Sequence, residues 1–217
     1  HEELDSTGVD KSARERLLGT RDGEISATTY FNDATDQQHL VLRSLPTTDR
    51  VVSYWHRATA GATVANLVAK QINYDGERAQ NGALTFEVQA LGNAYGLEWA
   101  TAMTAGIRTD TTATNGTSVD FGTGSTSFGL QAYLHVFAFT GTSATITIQE
   151  SSDDAVGDPF AAVTGGSFGA QSAVGASRIA TAAGLTVERY LRVVTTGTFS
   201  VCNFAVSIAR NATATVF

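Results

Sequence analysis

Residues 84–90 alternate strictly between apolar and polar side chains, and this pattern narrows the possible folds more than any other feature of the chain. The apolar positions are Leu84, Phe86, Val88 and Ala90. A period of two residues is that of a half-buried β-strand, whereas a helix needs a period of about 3.6. Two prolines against 21 glycines also favour strands joined by tight turns. The sequence therefore predicts a mainly-β protein.

Comparable stretches predict strands on both sides of this segment. In the first part of the chain they are residues 24–31, 50–57, 64–74 and 84–90, the third ending at a turn of Asp75 and Gly76. Asp33 or Asp36 caps a short α-helix that Pro46 ends. In the second part the predicted strands are residues 130–139, 144–150, 185–194 and 199–208, with turns at 140–142 and 196–197 and a weaker strand at 160–163. Both faces of 130–139 are apolar, so we expect that strand to be central.

Composition divides the chain into two β units and a linker. Residues 1–102 form the first predicted domain, a sheet with the short helix packed on it. Residues 103–127 are rich in Thr, Gly, Ser and Asp, which is typical of an extended linker. Residues 128–217 form the second predicted domain, and short strands at this spacing indicate a small β-sandwich.

The charge of the chain argues against a nucleic-acid clamp. The formal net charge is −7; up to Asp120 there are 10 Lys and Arg against 16 Asp and Glu, or −6, and after it 4 against 5, or −1. Duplex binding depends on neutralising phosphates, so we expect DNA to pass such a surface without being held. No apolar stretch is long enough to cross a bilayer, and no membrane partner is predicted. The single cysteine, Cys202, excludes an intrachain disulfide and is predicted to be a buried strand residue.

No constellation of acid, base and nucleophile stands out, and we predict a protein that is not an enzyme and needs no cofactor or metal. Residues 165–169 match the nucleophile-elbow pattern around Ser167, but that pattern requires a strand-turn-helix context. The histidines lack the spacing of a zinc site, and His135 is predicted to be a packed, hydrogen-bonded strand residue. The acidic turn at residues 153–158 offers oxygen ligands for calcium, although solvated turn carboxylates are the commoner outcome.

One segment of the first part has a composition that indicates contact with another subunit. Residues 4–23 mix charged side chains with two adjacent leucines, and an apolar tip left in water is unfavourable. The residues predicted to form this interface are Asp10, Lys11, Arg14, Arg16, Leu17, Leu18 and Arg21. The alternative is an ordinary solvated loop, folded back as a helical turn at residues 12–18.

The stretches ELDSTG, ARERLLGTRDGEIS and YFND, all within residues 3–33, resemble the long loop and following strand of tail tube proteins of bacteriophages with long, non-contractile tails. The similarity extends to about residue 99 and continues more weakly through residues 106–122 into the last predicted strands. It implies a β-sandwich or partial barrel with a flanking helix, six copies joined into a ring by continuous inter-subunit sheet, and a loop at residues 4–23 that reaches the neighbouring ring. Family members open with a further strand pair; here either that segment is missing or the innermost sheet is built differently.

The resemblance implies a structural virion protein, a tail tube subunit in the phage tail whose stacked rings conduct the genome. Its implied partners are further copies of itself, a tape measure protein and a tail terminator, with DNA passing through without specific binding. The acidic first 120 residues favour an acidic bore, which repels phosphate. Two alternatives are a head decoration or connector protein, and an outward-displayed β-sandwich that binds glycans or cell surfaces through Tyr133, Phe137, Tyr190 and Phe199.

Overall fold

The computed structural model describes residues 3–5, 16–18, 22–34, 38–44, 47–122 and 124–215, the first two ranges by their backbone only. A short helix, α1, spans Gln38–Leu42. Strands β1 to β14 span, in chain order, Glu3–Asp5, Arg16–Leu18, Glu24–Tyr30, Arg50–Trp55, Thr63–Arg78, Leu84–Gly92, Glu98–Ala102, Arg108–Asp110, Thr114–Asn115, Val119–Asp120, Leu130–Ser151, Ala161–Gln171, Gly175–Ala180 and Tyr190–Arg210. The predicted mainly-β fold with a short helix is confirmed. The described strands pair antiparallel and do not close into a barrel.

The chain divides into two compact units whose boundaries differ from those of the predicted domains. The first unit comprises His1–Val52 and Leu67–Leu97, and the second comprises Ser53–Asn66 and Glu98–Phe217. Residues 53–66 thus belong to the second unit although the chain then returns to the first. An alternating pattern cannot reveal this exchange, because it reports burial along one strand and not the identity of the neighbouring strand.

In the first unit β3 pairs with β6, and β6 pairs on its other side with β5. The strands predicted at residues 24–31, 50–57 and 84–90 are confirmed, each end lying within two residues of its predicted place. The apolar side of the sheet supplies the small core of this unit. Its buried residues are Leu67, Ala69 and Ala90, with Ile25, Val52 and Leu97 packed against them.

The turn predicted at Asp75 and Gly76 is absent, because β5 continues in register with β6 through both residues to Arg78. Gly76 lies opposite Phe86, and a Cβ at Gly76 would lie 2.7 Å from the Phe86 ring. The glycine therefore makes room for an aromatic side chain on the neighbouring strand. The chain turns later, where the amide of Ala79 donates to the carbonyl oxygen of Ala83.

In the second unit the four long predicted strands join in pairs to form only two strands, β11 and β14. β11 runs through the turn expected at residues 140–142, and β14 runs through the one expected at residues 196–197. The two strands pair from Leu130 opposite Arg210 to Ser151 opposite Tyr190, with register shifts between residues 136 and 143. Gly141 and Gly197, which were predicted to form hairpin turns, lie instead at a bend in the continuous two-stranded ribbon of β11 and β14. Irregular pairing bends a strand without ending it.

The ribbon doubles back so that both of its halves share one core. Leu130 in the first half of β11 and Ile148 in the second are both fully buried in the same cluster. Thr181 links the two halves. Its hydroxyl accepts a hydrogen bond from the Leu130 amide in the first half at 2.9 Å, and a Cβ on Gly165, in the strand paired with the second half, would lie 3.8 Å from Thr181. Cys202 is fully buried in this core, as predicted, and burial raises the pKa of its thiol. The predicted central position of residues 130–139 is confirmed, because β11 pairs there with both β13 and β14.

Residues 103–127, expected to be a linker, carry three short strands (β8, β9 and β10) that all pair with β14. Arg108 anchors the segment: its guanidinium donates to the Asp110 carboxylate at 2.8 and 2.7 Å. It also donates to the carbonyl oxygens of Val193 at 2.8 Å and Thr114 at 3.1 Å. The segment is therefore part of the sheet of the second unit, which its Thr- and Gly-rich composition does not reveal.

Candidate functional site

The predicted subunit interface falls partly on residues whose placement is described. Outside the described residues lie Asp10, Lys11, Arg14 and Arg21. The other three, Arg16, Leu17 and Leu18, form β2. Its backbone pairs with β1, which places Arg16 opposite Asp5, and neither strand pairs with any other strand that the structure describes. A contact between rings through these residues stays a prediction.

The sheet of the first unit has an acidic face, by which we mean the four carboxylates of Glu24, Asp75, Glu77 and Glu87. Glu87 on β6 lies opposite Thr28 on β3 and opposite Asp75 on β5. Residues opposite each other in antiparallel strands share a face, as do residues two apart along one strand. All four acidic residues are exposed. The sequence reasoning missed this face, although the alternation at residues 84–90 already assigned Glu87 to the polar side.

Three of these carboxylates surround a shallow depression of about 170 Å³. Its lining residues are Thr28, Asp75, Gly76, Glu77, Thr85 and Glu87. The short side chains of the two threonines leave this space between the acidic groups. Such a depression can receive a compact cationic head, because several carboxylate oxygens converge on it.

Within the described part of the chain, no Lys or Arg forms an ion pair with the acidic face. Lys70, in the same cross-strand row as Glu24, is instead held by Asp49 at 3.1 Å and donates to the carbonyl oxygen of Thr47 at 2.8 Å. The hydrogen bond from Lys70, with one from Asn93, lowers the pKa of the Asp49 carboxyl. Lys70 is therefore already engaged, and no described cation pairs with the acidic face.

β3 is the edge strand of this sheet, with no described strand on its outer side. The Phe31 amide donates to the Leu84 carbonyl oxygen at 3.0 Å, and the Gly92 amide donates to the Gly23 carbonyl oxygen at 2.8 Å. Backbone groups of successive residues in an antiparallel strand point alternately to opposite neighbours. The odd-numbered residues of β3 therefore bond to β6, while the backbone groups of Ser26 and Thr28 point to the open edge.

The opposite face of the same sheet is apolar and borders a cavity of about 390 Å³. Its lining residues are Ile25, Ala27, Val41, Leu42, Arg50, Val51, Val52, Ala69, Gln71, Val88 and Ala90. The two faces thus differ sharply in polarity, which is the arrangement expected of a sheet with one side in water.

His135 lies in a partly buried polar network that involves Ser53, a residue the sequence reasoning did not single out. The Ser53 hydroxyl lies 2.8 Å from Nε2 of His135 and 2.6 Å from Oδ1 of Asn66, and the Ser207 hydroxyl lies 3.2 Å from the same amide oxygen. An amide oxygen only accepts, so both hydroxyls donate to it and Nε2 of His135 donates to Ser53. Burial lowers the pKa of His135. The prediction of a packed, hydrogen-bonded histidine is confirmed, and this serine is not arranged for activation by a base.

Ser167 lies within β12, opposite Thr147 of the antiparallel partner strand. A nucleophile elbow needs a sharp turn between a strand and a helix. The residues around Ser167 provide neither, so the pattern match at residues 165–169 does not place a nucleophile here.

The acidic turn at residues 153–158 uses its first carboxylate to hold its own backbone. Asp153 accepts hydrogen bonds from the amides of Val156 at 3.1 Å, Gly157 at 2.6 Å and Asp158 at 3.1 Å. No group of three or more His, Cys, Asp or Glu among the described residues is arranged to hold a metal ion. The turn is thus organised around the Asp153 side chain.

Beside this turn, Glu188 lies near Asp158 and Glu150, whose negative charges disfavour its own. Burial, followed by the charge of Asp158, raises the pKa of Glu188. Burial also raises the pKa of Glu150, although a hydrogen bond from the Glu188 amide opposes that shift. Hydrogen bonds from Ser152 lower the pKa of Asp158, which therefore keeps its charge.

We expect Glu188→Gln to raise the melting temperature at pH 7 by about 1–3 °C, since neighbouring exposed charges are worth up to about 1 kcal/mol. A carboxyl whose pKa is higher in the folded state than in the unfolded state stabilises the fold when the pH is below its ordinary pKa of 4.5. That contribution is lost as the pH rises through the pKa of the folded state. Glutamine mimics the protonated form, so the gain should vanish near pH 3.5 (thermal melts at both pH values). Asp33→Asn, at an exposed residue outside this cluster, controls for net charge; an equal gain there would contradict the explanation.

Two of the four aromatic residues proposed for glycan binding are buried. Tyr133 and Phe199 are 1% and 8% exposed, and the Arg189 guanidinium lies 4.9 Å from the centre of the Tyr190 ring. Phe137 is 50% exposed, beside the His135 ring. Core packing thus uses two of the four predicted residues.

No family model, no curated protein and no solved structure matches this chain. No helix in the described part of the chain is long and apolar enough to cross a membrane.

Proposed function

We propose that this chain is the subunit of a phage tail tube, in which six copies close into a ring and rings stack into a conduit for the genome. The resemblance of residues 3–33 to such proteins suggests the class, and the folded chain offers features that suit it. β1 and β2 form a separate two-stranded ribbon, and a ribbon of two strands is marginal without further packing. Further copies of the chain, a tape measure protein and a tail terminator are the proposed partners.

The observation that carries this proposal is the open edge of β3. The backbone groups of Ser26 and Thr28 point away from β6, on a side where the described chain has no further strand. Exposed edges invite pairing with another chain, and closing a ring through such pairing leaves no edge free. The net charge of −7 suits a conduit through which DNA moves without being bound.

Ser26→Pro should prevent ring formation while leaving the subunit folded. Proline has no amide hydrogen, and the Ser26 amide points to the open edge, where proline is tolerated in a single sheet. Because six interfaces per ring are each weakened, we expect the assembled fraction to fall by about tenfold or more. Negative-stain electron microscopy and sedimentation measure assembly, and circular dichroism measures folding.

Two further variants make the test specific. Ser26→Ala keeps the amide and should assemble like the wild type. Ala27→Pro removes an amide that bonds to β6 and should lower the melting temperature instead. Normal rings from the Ser26→Pro protein would contradict edge pairing through β3, and a wild-type protein that stays monomeric at high concentration would contradict the proposed function.

A further inference from the structure

The chain separates its charges in an unusual way. Residues 11–21, which we call the basic segment, hold four cations, Lys11, Arg14, Arg16 and Arg21, against the single acid Glu15, a net charge of +3. With a total of −7, the rest of the chain carries −10. Part of that negative charge is concentrated in the four carboxylates of the acidic face.

The acidic face is electrostatically unfavourable in an isolated subunit. Asp75 lies directly opposite Glu87, and like charges in cross-strand pairs are destabilising. Glu77 adds a third carboxylate around the same depression of about 170 Å³. No described cation forms an ion pair with them, and Lys70, in the same cross-strand row as Glu24, is held by Asp49. A cation supplied from elsewhere would relieve this repulsion.

The basic segment has the chemistry to supply that cation. A guanidinium group presents five N–H donors in a planar fork and binds carboxylates through two parallel hydrogen bonds. Three carboxylates around a depression that no described side chain fills form a receptor for such a head group. Two threonines on its rim, Thr28 and Thr85, add hydroxyl oxygens that can accept the remaining donors.

We propose that the basic segment of one copy binds the acidic face of a second copy, with an arginine head in the depression between Asp75, Glu77 and Glu87. The inference rests on the proposed function, since it needs a second copy, and it assigns the receptor for the segment predicted to join copies. It places the acidic face at a contact between subunits rather than on the bore. A contact of this kind is heterologous, so it can repeat from copy to copy along a tube.

Charge reversal tests the pairing. In the arm variant, Arg14 and Arg16 are replaced by Glu; in the face variant, Asp75 and Glu87 are replaced by Lys. Each variant alone opposes like charges across the contact, and we expect its assembled fraction to fall by about tenfold or more. The variant with all four substitutions restores opposite charges and should assemble again. Assembly is measured by sedimentation and electron microscopy, and folding by circular dichroism.

Mixing the two reversed proteins decides which chain supplies the segment. The acidic arm of the first fits the basic face of the second, and the basic arm of the second fits the acidic face of the first. A one-to-one mixture should therefore form tubes that contain both proteins, although neither assembles alone. If the variant with all four substitutions assembles and the mixture does not, the basic segment binds the acidic face of its own chain, and the inference is overturned.

A matched control separates this contact from a general effect of charge. Asp33→Lys with Asp154→Lys changes the net charge by +4, as the face variant does, at two exposed residues that are not part of the acidic face, and should leave assembly unchanged. If the wild type assembles and the arm variant or the face variant assembles equally well, the inference is overturned but the proposed function is not. In that case the acidic face belongs to the bore or the exterior. A wild-type protein that never assembles would overturn both.

Discussion

A Gly197→Ala variant should lose about 3 kcal/mol or more of unfolding free energy, a large share of the roughly 5–15 kcal/mol typical of a folded domain. Two costs add at this position. Gly197 has a φ of +120°, which a residue with a Cβ rarely adopts. The new Cβ would also lie 2.3 Å from the carbonyl oxygen of Ser143, on the strand that pairs with it. Both strands are fixed by the ribbon, so neither can retreat without breaking the pairing at the bend.

A graded series of glycine substitutions separates these two costs, with urea unfolding followed by circular dichroism. Gly184→Ala meets no atom within 4 Å and has no positive φ, so it should be neutral. Gly169→Ala meets no atom either but has a φ of +71°, so it should cost about 1 kcal/mol. Gly197→Ala should exceed both. If its unfolding midpoint matched that of Gly184→Ala, the bend of the ribbon would not depend on glycine.

Arg178→Met should lower the free energy of unfolding by about 3 kcal/mol, because it leaves a buried charge without its partner. The Arg178 and Glu98 side chains are 8% and 13% exposed, and their N–O distance is 2.8 Å. The Tyr133 hydroxyl donates to the same carboxylate and accepts a hydrogen bond from Arg178 at 3.1 Å. Burial, followed by the charge of Glu98, raises the pKa of Tyr133, so the phenol stays protonated and remains a donor. A single hydroxyl cannot replace the guanidinium.

A second ion pair in the chain, which is exposed, serves as a control for the effect of burial on the Arg178 substitution. Arg189 and Asp120 form an ion pair with a shorter N–O distance, 2.7 Å, but their side chains are 38% and 41% exposed. The pair lowers the pKa of Asp120 to about 2, yet water screens it, and Arg189→Met should change stability little. Adding Glu98→Gln to Arg178→Met removes the second charge and should recover part of the loss. Equal effects of the two arginine substitutions in chemical denaturation would show that burial does not set the cost.

Local patterns predicted the strands well where one face is buried and the other is solvated. The alternation at residues 84–90 fixed both the strand and the polar side on which Glu87 lies. The same reasoning failed at Gly76, Gly141 and Gly197. The sequence alone does not distinguish a glycine in a turn from one opposite an aromatic ring or one at a bend within a strand. Only the atoms of the neighbouring strand distinguish these roles. The prediction of a linker was wrong for a similar reason, since Arg108 donates to the carbonyl oxygen of Val193 on β14, 85 residues along the chain.

The candidate site divides in the same way. The basic segment is visible in the sequence, because charge and the two leucines lie within a few neighbouring residues. The acidic face is not, because Glu24, Asp75 and Glu87 are separated by many residues and meet only through the register of three strands. The Ser53 network and the buried Arg178 pair likewise join residues that the sequence keeps far apart.

By itself the sequence determined the class of fold, the strand near Glu87, the burial of Cys202 and the presence of a charged segment near the start of the chain. These properties depend on the composition and periodicity of adjacent residues, which set what each short stretch can bury. Only the tertiary structure decided that four expected strands are one bent ribbon, that residues 53–66 belong to the second unit, and that four carboxylates share a face. Strand pairing brings together residues distant in sequence, and its register follows from the packing of the whole sheet rather than from any local pattern.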